Sequence, residues 1–185
     1  MRTFLALLAA IISGILVGLA MFFLDRAGFY LVLLVPLIGG SLIGTVVRAA
    51  GGNRTRTLVL VVCAILGGVI ATGLYWFGQY NDYSEQLIEQ VQQRNRTATR
   101  EEALKIIETI QQDEFGSTGF PAFLADYAEM GISISRVGSS SALDVQGNFA
   151  YALWAGEALL LIVMAIATVR RRQQAVTPAA GAPAM

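Results

Sequence analysis

Histidine is absent from this sequence of 185 residues, and cysteine occurs once. Haem sites in membrane helices and most catalytic metal sites use imidazole or several thiolates as ligands. Cys63 has no second cysteine with which to form a disulfide or a thiolate cluster, so we interpret it as a small apolar packing residue. These two shortages predict a chain that carries no cofactor, no metal ion and no redox centre of its own.

Charge is missing from three long apolar runs, and a fourth contains a single acid. Residues 4–24, 29–47 and 58–77 have no Asp, Glu, Lys or Arg, and 149–169 holds only Glu157. Each run is about 20 residues long, enough at about 1.5 Å per residue to cross a hydrocarbon core of about 30 Å. Because that core has no water to satisfy backbone amides, such runs are stable there as helices. The sequence predicts an all-α integral membrane protein with four transmembrane helices.

The first run, which follows Met1 and Arg2, also has the order of charge and apolar residues found in a secretory signal peptide. Its apolar stretch is longer than the roughly 7–15 residues typical of such peptides, and a second apolar run follows almost at once. We therefore expect an uncleaved transmembrane helix.

Positive charge is concentrated on one side of the predicted spans. With the N-terminus inside, that side carries no acid and the following basic residues: Arg2, Arg48, Arg54, Arg56 and Arg170–Arg172. The segment 78–148 on the other side is rich in Asp and Glu. Because positive residues in short loops set topology, we predict a multi-pass protein of the bacterial cytoplasmic membrane with both termini cytoplasmic. An extracytoplasmic acidic domain at 78–148 and a basic, Ala- and Pro-rich cytoplasmic tail at 170–185 complete this layout.

Aromatic residues gather at the ends of the spans that face away from the arginines, among them Tyr75, Trp76, Tyr80, Tyr151 and Trp154. Amphipathic rings favour the headgroup layer of a bilayer. We interpret these residues as a one-sided aromatic belt.

The segment 78–148 is predicted to form a small, mostly helical domain. An apolar face from Leu87 to Val91 marks a first helix. Thr99 and Glu102 have the spacing of a capping box, in which each side chain satisfies the other residue's backbone amide. The helix that they start is expected to stop near Gly116.

A third helix is predicted after Gly119, since Phe120, Phe123 and Tyr127 share one helical face. Gly131 is placed to end it. Alternating residues at 132–136, with a return strand around Leu143 and Val145, predict a short β-hairpin.

Small residues recur four positions apart within the spans. The pairs are Gly14 with Gly18, Gly40 with Gly44, Ala64 with Gly68, Gly67 with Ala71, and Ala152 with Gly156. Helices in lipid gain little from hydrophobic burial against each other, so close backbone approach drives their association. The pattern predicts tight helix packing and leaves open whether the partner is another span of this chain or another subunit. Pro36 is predicted to kink the second span.

Glu157 is the one ionisable residue deep in a span. A carboxylate at that depth costs about 2.5–3.5 kcal/mol on insertion scales, so it needs protonation, a partner or water. Three interpretations compete: a neutral Glu bonded to a neighbouring helix backbone or hydroxyl, a contact to a partner subunit or lipid, and a proton-relay site. A relay normally contains several ionisable groups, and the spans contain only this one.

A resemblance covers most of the chain. Phe123-Leu124, Ala128, Gly131–Ile134, Arg136, Tyr151, Trp154 and Glu157 form a pattern that resembles small bacterial multi-pass membrane proteins of unassigned function, as does the spacing Pro36, Gly40, Gly44, Arg48. The resemblance implies a membrane topology and a bacterial origin. It implies no mechanism.

No nucleophile motif or glycine-rich phosphate loop is found, and the acidic pairs of 78–148 fall on polar helix faces or at helix ends, so no catalytic residue is nominated. We expect a non-catalytic accessory or structural subunit of a larger bacterial membrane complex, in particular an energy-transducing electron-transfer assembly (a quinol-oxidising respiratory or a photosynthetic complex). Its expected partners are other integral membrane subunits and lipid, with 78–148 contacting an extracytoplasmic subunit, and no nucleic acid. The alternative is a small transporter or proton-conducting protein that uses Glu157.

Overall fold

The computed structural model describes residues 1–28, 33–52, 55–130, 132–135 and 142–174, with backbone alone for 132–135, 142–145 and 171–174. The elements of these described residues are α1 (Arg2–Arg26), α2 (Leu34–Gly51), α3 (Thr57–Arg94), α4 (Arg100–Phe115), α5 (Phe120–Met130), β1 (Ile132–Ser135), β2 (Ala142–Val145) and α6 (Asn148–Gln174). The chain divides into two compact units. We call Met1–Tyr75 with the chain from Gly156 onward the bundle unit, and Trp76–Ala155 the insert unit.

Four helices, α1, α2, α3 and α6, are long and apolar enough to cross a membrane. The most apolar window of each helix is at most 44% buried within the chain. Side chains such as Leu16, Leu42 and Leu159 therefore expose apolar surface where a water-soluble bundle would be polar. Helices that are apolar on both their packed and their exposed faces are consistent with a multi-pass membrane protein, as the sequence predicts.

The third helix does not end where its apolar run ends. α3 continues from the apolar residues 58–77 through polar sequence to Arg94, for 38 residues in all. At 1.5 Å per residue its length is about 57 Å, nearly twice the hydrocarbon thickness of about 30 Å. The apolar face from Leu87 to Val91 therefore belongs to α3 and not to a separate helix.

The second helix starts later than its apolar run. α2 begins at Leu34, and residues 29–32 lie outside the described part of the chain. Pro36 thus occupies the first turn, where a backbone amide has no acceptor within the helix and its loss costs nothing. The prediction of a kink at Pro36 is wrong, because this proline stands at the start of a helix and not in its interior.

The packing of α1 on α3 depends on glycine. A Cβ atom at Gly14 would lie 2.5 Å from the carbonyl oxygen of Gly67, and one at Gly18 would lie 2.6 Å from that of Ala71. Cβ atoms in proteins do not approach backbone oxygens so closely, so any larger residue would force the helices apart. The two helices touch backbone to backbone, as small-residue motifs in membranes do.

α2 and α6 make the same kind of contact in the bundle unit. A Cβ atom at Gly40 would overlap the carbonyl oxygen of Leu161, and one at Gly44 that of Ala165. Residues four apart on α2 thus meet residues four apart on α6 in the same order, so the two helices run parallel. The largest fully buried side chains of the bundle unit include Ile43, Val47, Leu60, Leu161 and Val169.

Gly40→Ala is expected to destabilise the bundle by about 1–3 kcal/mol, because the added methyl group overpacks the contact with α6. Gly73→Ala is the matched control: Gly73 also lies inside a helix, and a Cβ atom there would meet open space among the described residues. This control should be neutral or stabilising by about 0.5–1 kcal/mol, since alanine favours helix over glycine. Thermal unfolding in detergent measures both, and an unchanged melting temperature for Gly40→Ala would contradict the packing.

Aromatic rings form the core of the insert unit. Phe123 on α5 is fully buried and packs with centroid distances of 5.1–6.2 Å against Trp76, Tyr80, Tyr83, Phe120 and Tyr127. Trp154 of α6 joins this cluster with its ring centroid 4.9 Å from that of Trp76. Rings that the sequence assigned to a belt at the membrane surface are therefore used for packing, whereas Phe149 is exposed.

The capping box of α4 is confirmed. The Thr99 hydroxyl accepts from the Glu102 amide at 3.3 Å, and the Glu102 carboxylate accepts from the Thr99 amide at 2.8 Å. The helix ends at Gly116, which has the left-handed conformation with φ of 63°. Ala103 and Ile107 of α4 pack on Ile88 of α3 to form a second small core.

The remaining connection of the insert unit runs through two strands. β1 and β2 pair antiparallel with Ile132 opposite Val145 and Ser135 opposite Ala142. The Gly147 amide then donates to the carbonyl of Ala128 at 2.8 Å, which ties the start of α6 to α5. The predicted helix terminator Gly131 lies outside the described residues.

Thr99→Ala is expected to destabilise α4 by about 1 kcal/mol, because the Glu102 amide loses its side-chain acceptor. Thr109→Ala in the exposed middle of α4 is the control, since its hydroxyl bonds the Lys105 carbonyl one turn earlier and caps no helix end. Alanine there should be neutral or stabilising. Amide hydrogen exchange of Arg100–Phe115 reports both, and equal protection in the two variants would refute the cap.

Candidate functional site

The Glu157 carboxylate lies at the N-terminal end of α2. Its Oε1 accepts a hydrogen bond from the Leu33 backbone amide at 3.2 Å, and the residue is only 8% exposed. Leu33 is the N-cap residue of α2 and makes no side-chain cap of its own. An acid on α6 thus caps the start of α2.

This position suits a carboxylate for two physical reasons. The first amides of any helix lack acceptors within it, and Pro36 removes only one of those of α2. The helix dipole also places partial positive charge at this end, which stabilises an anionic or strongly accepting group. Leu33 has φ of 70°, a conformation that costs free energy in a residue with a side chain, and the bond from its amide to Glu157 helps to hold it there.

Arg48 makes a matching contact at the other end of α2. Its side chain is buried and its Nη1 donates to the carbonyl oxygen of Val169 at 3.2 Å. The separation of 121 residues is the same as for the contacts of Gly40 with Leu161 and of Gly44 with Ala165. We call this row of contacts, from Glu157 to Arg48, the α2–α6 seam.

The seam gives a structural reason for the spacing Pro36, Gly40, Gly44, Arg48. Residues four apart lie on one face of a helix, and here that face is turned to α6. From the sequence, Arg48 was counted among the basic residues of one membrane side, and its burial was not predicted. Leu33 was not identified as a contact of Glu157. The four-residue spacing that ends in Arg48 was the signal that could have indicated its burial.

The small residues that the sequence predicts for helix packing divide into those that pack within the chain and those that stay exposed. Gly14, Gly18, Gly40 and Gly44 all pack within the chain, as described above. Ala152, in the insert unit, is exposed. A Cβ atom at Gly156 would meet no atom within 4 Å in the part of the chain that the structure describes.

Several other polar groups of the bundle have partners, whereas the buried Thr72 hydroxyl has no hydrogen-bond partner among the described residues. The Tyr75 hydroxyl donates to Asp25 at 3.2 Å. Hydroxyl groups of serine and threonine bond carbonyls of their own helices one turn earlier: Ser13, Ser41, Thr45 and Thr168. Of these contacts, the Glu157 carboxylate joins two helices, whereas the hydroxyls satisfy their own polar groups within single helices.

The insert unit contains a cavity of about 160 Å³ between α3, α4 and α5. Its wall is mainly apolar, with Leu87, Val91 and Ile107 among its residues. On its polar side the Tyr83 hydroxyl donates to Asp126 at 2.6 Å. Burial, and next the bond to Asp126, raise the pKa of Tyr83, so this phenol stays protonated and keeps donating.

Searches with protein-family models, against curated proteins and against solved structures find no match for this chain. Among the described residues, no group of three or more Cys, Asp or Glu side chains is placed to hold a metal ion. What defines the class is the fold: a bundle of four helices able to span a membrane, with a mainly helical insert.

Glu157→Gln is expected to keep the cap, because the amide oxygen of glutamine still accepts from the Leu33 amide. Glu157→Met, of similar length, removes the acceptor and leaves the partly buried Leu33 amide without this partner, at a cost of about 1–2 kcal/mol. Hydrogen exchange of the Leu33 amide distinguishes the variants: it should be slow in the wild type and the glutamine variant, and at least tenfold faster in the methionine variant. Equal exchange in all three would refute the contact.

Proposed function

We propose that this chain is a non-catalytic structural subunit of a larger complex in a bacterial cytoplasmic membrane. The proposal rests on one observation above all. The paired small residues of α1, α2 and α3, spaced four positions apart, all pack within the chain, whereas Gly156 of the pair on α6 stays open among the described residues. A helix face that is apolar, exposed and contains a small residue allows another helix to pack closely against it.

The open face of α6 continues beyond Gly156. Leu159 and Val163 are 63% and 48% exposed and follow at the spacing of a helical stripe. On the inward side of the same helix, Leu161 and Ala165 contact α2. Because α6 is held by the seam, this stripe is presented on a rigid surface, which lowers the entropic cost of binding a partner.

The orientation of the complex follows from charge. We propose that both termini and the arginine-bearing ends of the helices are cytoplasmic, and that the insert is extracytoplasmic. Segment 78–148 is acidic and the arginine-bearing ends contain no acid, a distribution that favours this orientation. The acidic insert is then positioned to contact an extracytoplasmic neighbour.

As the host we propose an energy-transducing electron-transfer assembly, a quinol-oxidising respiratory complex or a photosynthetic one. The support is the general type of the chain: four apolar helices without a histidine suit a subunit that packs around cofactor-bearing subunits. The competing function, proton conduction or transport through Glu157, requires that carboxylate to bind and release protons or ions. Its engagement with the start of α2 supports the structural function instead.

Gly156→Leu tests the proposal, with Gly73→Leu as its matched control. Both glycines lie inside helices of the bundle unit, and a side chain at either would meet open space among the described residues. We expect the chain to fold in both variants. Gly156→Leu should reduce recovery of the native complex at least tenfold, whereas Gly73→Leu should leave it unchanged.

The readout is blue native electrophoresis and mass spectrometry of complexes purified in mild detergent from cells that express each variant. A chain that migrates alone in the wild type would overturn the proposal. A proton or solute flux that reconstituted protein alone supports, and that Glu157→Gln abolishes, would establish the transport function in its place.

A further inference from the structure

Four helix ends converge at the end of the bundle opposite to the Glu157 cap. A Cβ atom at Gly51, the last residue of α2, would touch Leu60 of α3 and lie 3.4 Å from Cβ of Ala6 in α1. Arg48 brings α6 to the same end through its bond to Val169. The described arginines that flank these helix ends therefore lie at the same end of the bundle unit.

Three described arginines expose their side chains here: Arg2, Arg56 and Arg170. Arg2 lies against the backbone at the end of α2, since a Cβ atom at Gly52 would be 2.7 Å from its Nη1. The sequence contains no Asp or Glu in residues 1–24, 26–81 or 158–185. This end of the bundle thus concentrates positive charge that no acid of the same segments balances.

Exposed apolar side chains lie two residues from Arg2 and from Arg56. Phe4, in the first turn of α1, is 62% exposed. Leu58, in the first turn of α3, is 76% exposed. Arg2 and Arg56 stand at the beginnings of the same two helices, where the helix dipole adds partial positive charge. Cationic groups above exposed apolar surface match a ligand with an anionic head and an apolar tail.

We propose that this arginine face, formed by Arg2, Arg56 and Arg170, binds anionic phospholipid. The guanidinium groups hold the headgroup phosphate, for which arginine offers paired donors, and the acyl chains lie along Phe4 and Leu58. Binding is independent of any partner subunit, because every group involved belongs to the bundle unit. The lipid supplies the negative charge that the sequence lacks at this end.

A basic residue near an anionic membrane surface contributes about fivefold to affinity, so the three arginines together contribute on the order of 100-fold. The test uses the full chain in detergent micelles. Phosphatidylglycerol, phosphatidylcholine or inorganic phosphate is added, and native mass spectrometry counts bound lipid while thermal unfolding measures the shift in melting temperature.

The variant Arg2→Gln/Arg56→Gln/Arg170→Gln should bind phosphatidylglycerol on the order of 100-fold more weakly. The control Arg94→Gln/Arg96→Gln/Lys105→Gln removes the same number of exposed positive charges from the insert unit and should bind as the wild type does. The single variants Arg2→Gln and Arg56→Gln, each expected to lose about fivefold, serve if the triple variant does not fold.

Melting temperatures of the wild type with different lipids test the proposal without any variant. Phosphatidylglycerol should raise its melting temperature, rising salt should reduce the effect, and phosphatidylcholine should have little effect. Equal stabilisation by both lipids would overturn the proposal, as would equal losses in the two triple variants. Stabilisation by inorganic phosphate alone at the same concentration would assign the face to a free anion and overturn the lipid assignment.

Discussion

A hydrocarbon layer has no water, so each backbone donor within it needs an acceptor inside the protein. The same need arises at the start of α2, because a helix leaves its first amides without intrahelical acceptors. Glu157 of α6 supplies one through its bond to the Leu33 amide. One contact thereby removes two unfavourable terms, an unsatisfied amide and a buried carboxyl group without a partner.

The consequences of this contact extend along the whole of α2. With its beginning held by Glu157 and its end held by Arg48, the helix lies parallel to α6. Gly40 and Gly44 between them let the two backbones touch. Polar bonds fix the register of the seam and glycine contacts supply its dispersion energy, so neither kind of contact specifies the packing alone.

The bundle and the insert are stabilised by different physics. Close backbone approach dominates in the bundle, where apolar side chains outside the seams remain exposed. In the insert, burial of aromatic rings around Phe123 and helix capping at Thr99 dominate, as in a water-soluble domain. This contrast is what a chain with one unit in lipid and another in water requires, and it supports the proposed subunit with a membrane bundle and an aqueous insert.

Local sequence determined much of this protein. Apolar length and the absence of charge are enough to place four potential spans, and the capping box at Thr99 and Glu102 depends only on residues three positions apart. Glycine spacing also indicated close helix packing. These features could be predicted because each depends on neighbours within a few turns of the same helix.

Tertiary structure alone decided which surfaces meet. The sequence could not assign Gly40 to α6 or Gly14 to α3, nor show that Gly156 remains open. It also could not show that the late start of α2 moves Pro36 into a first turn. The bond from Leu33 to Glu157 joins residues 124 positions apart, and no local pattern encodes a contact whose existence depends on how separate helices pack.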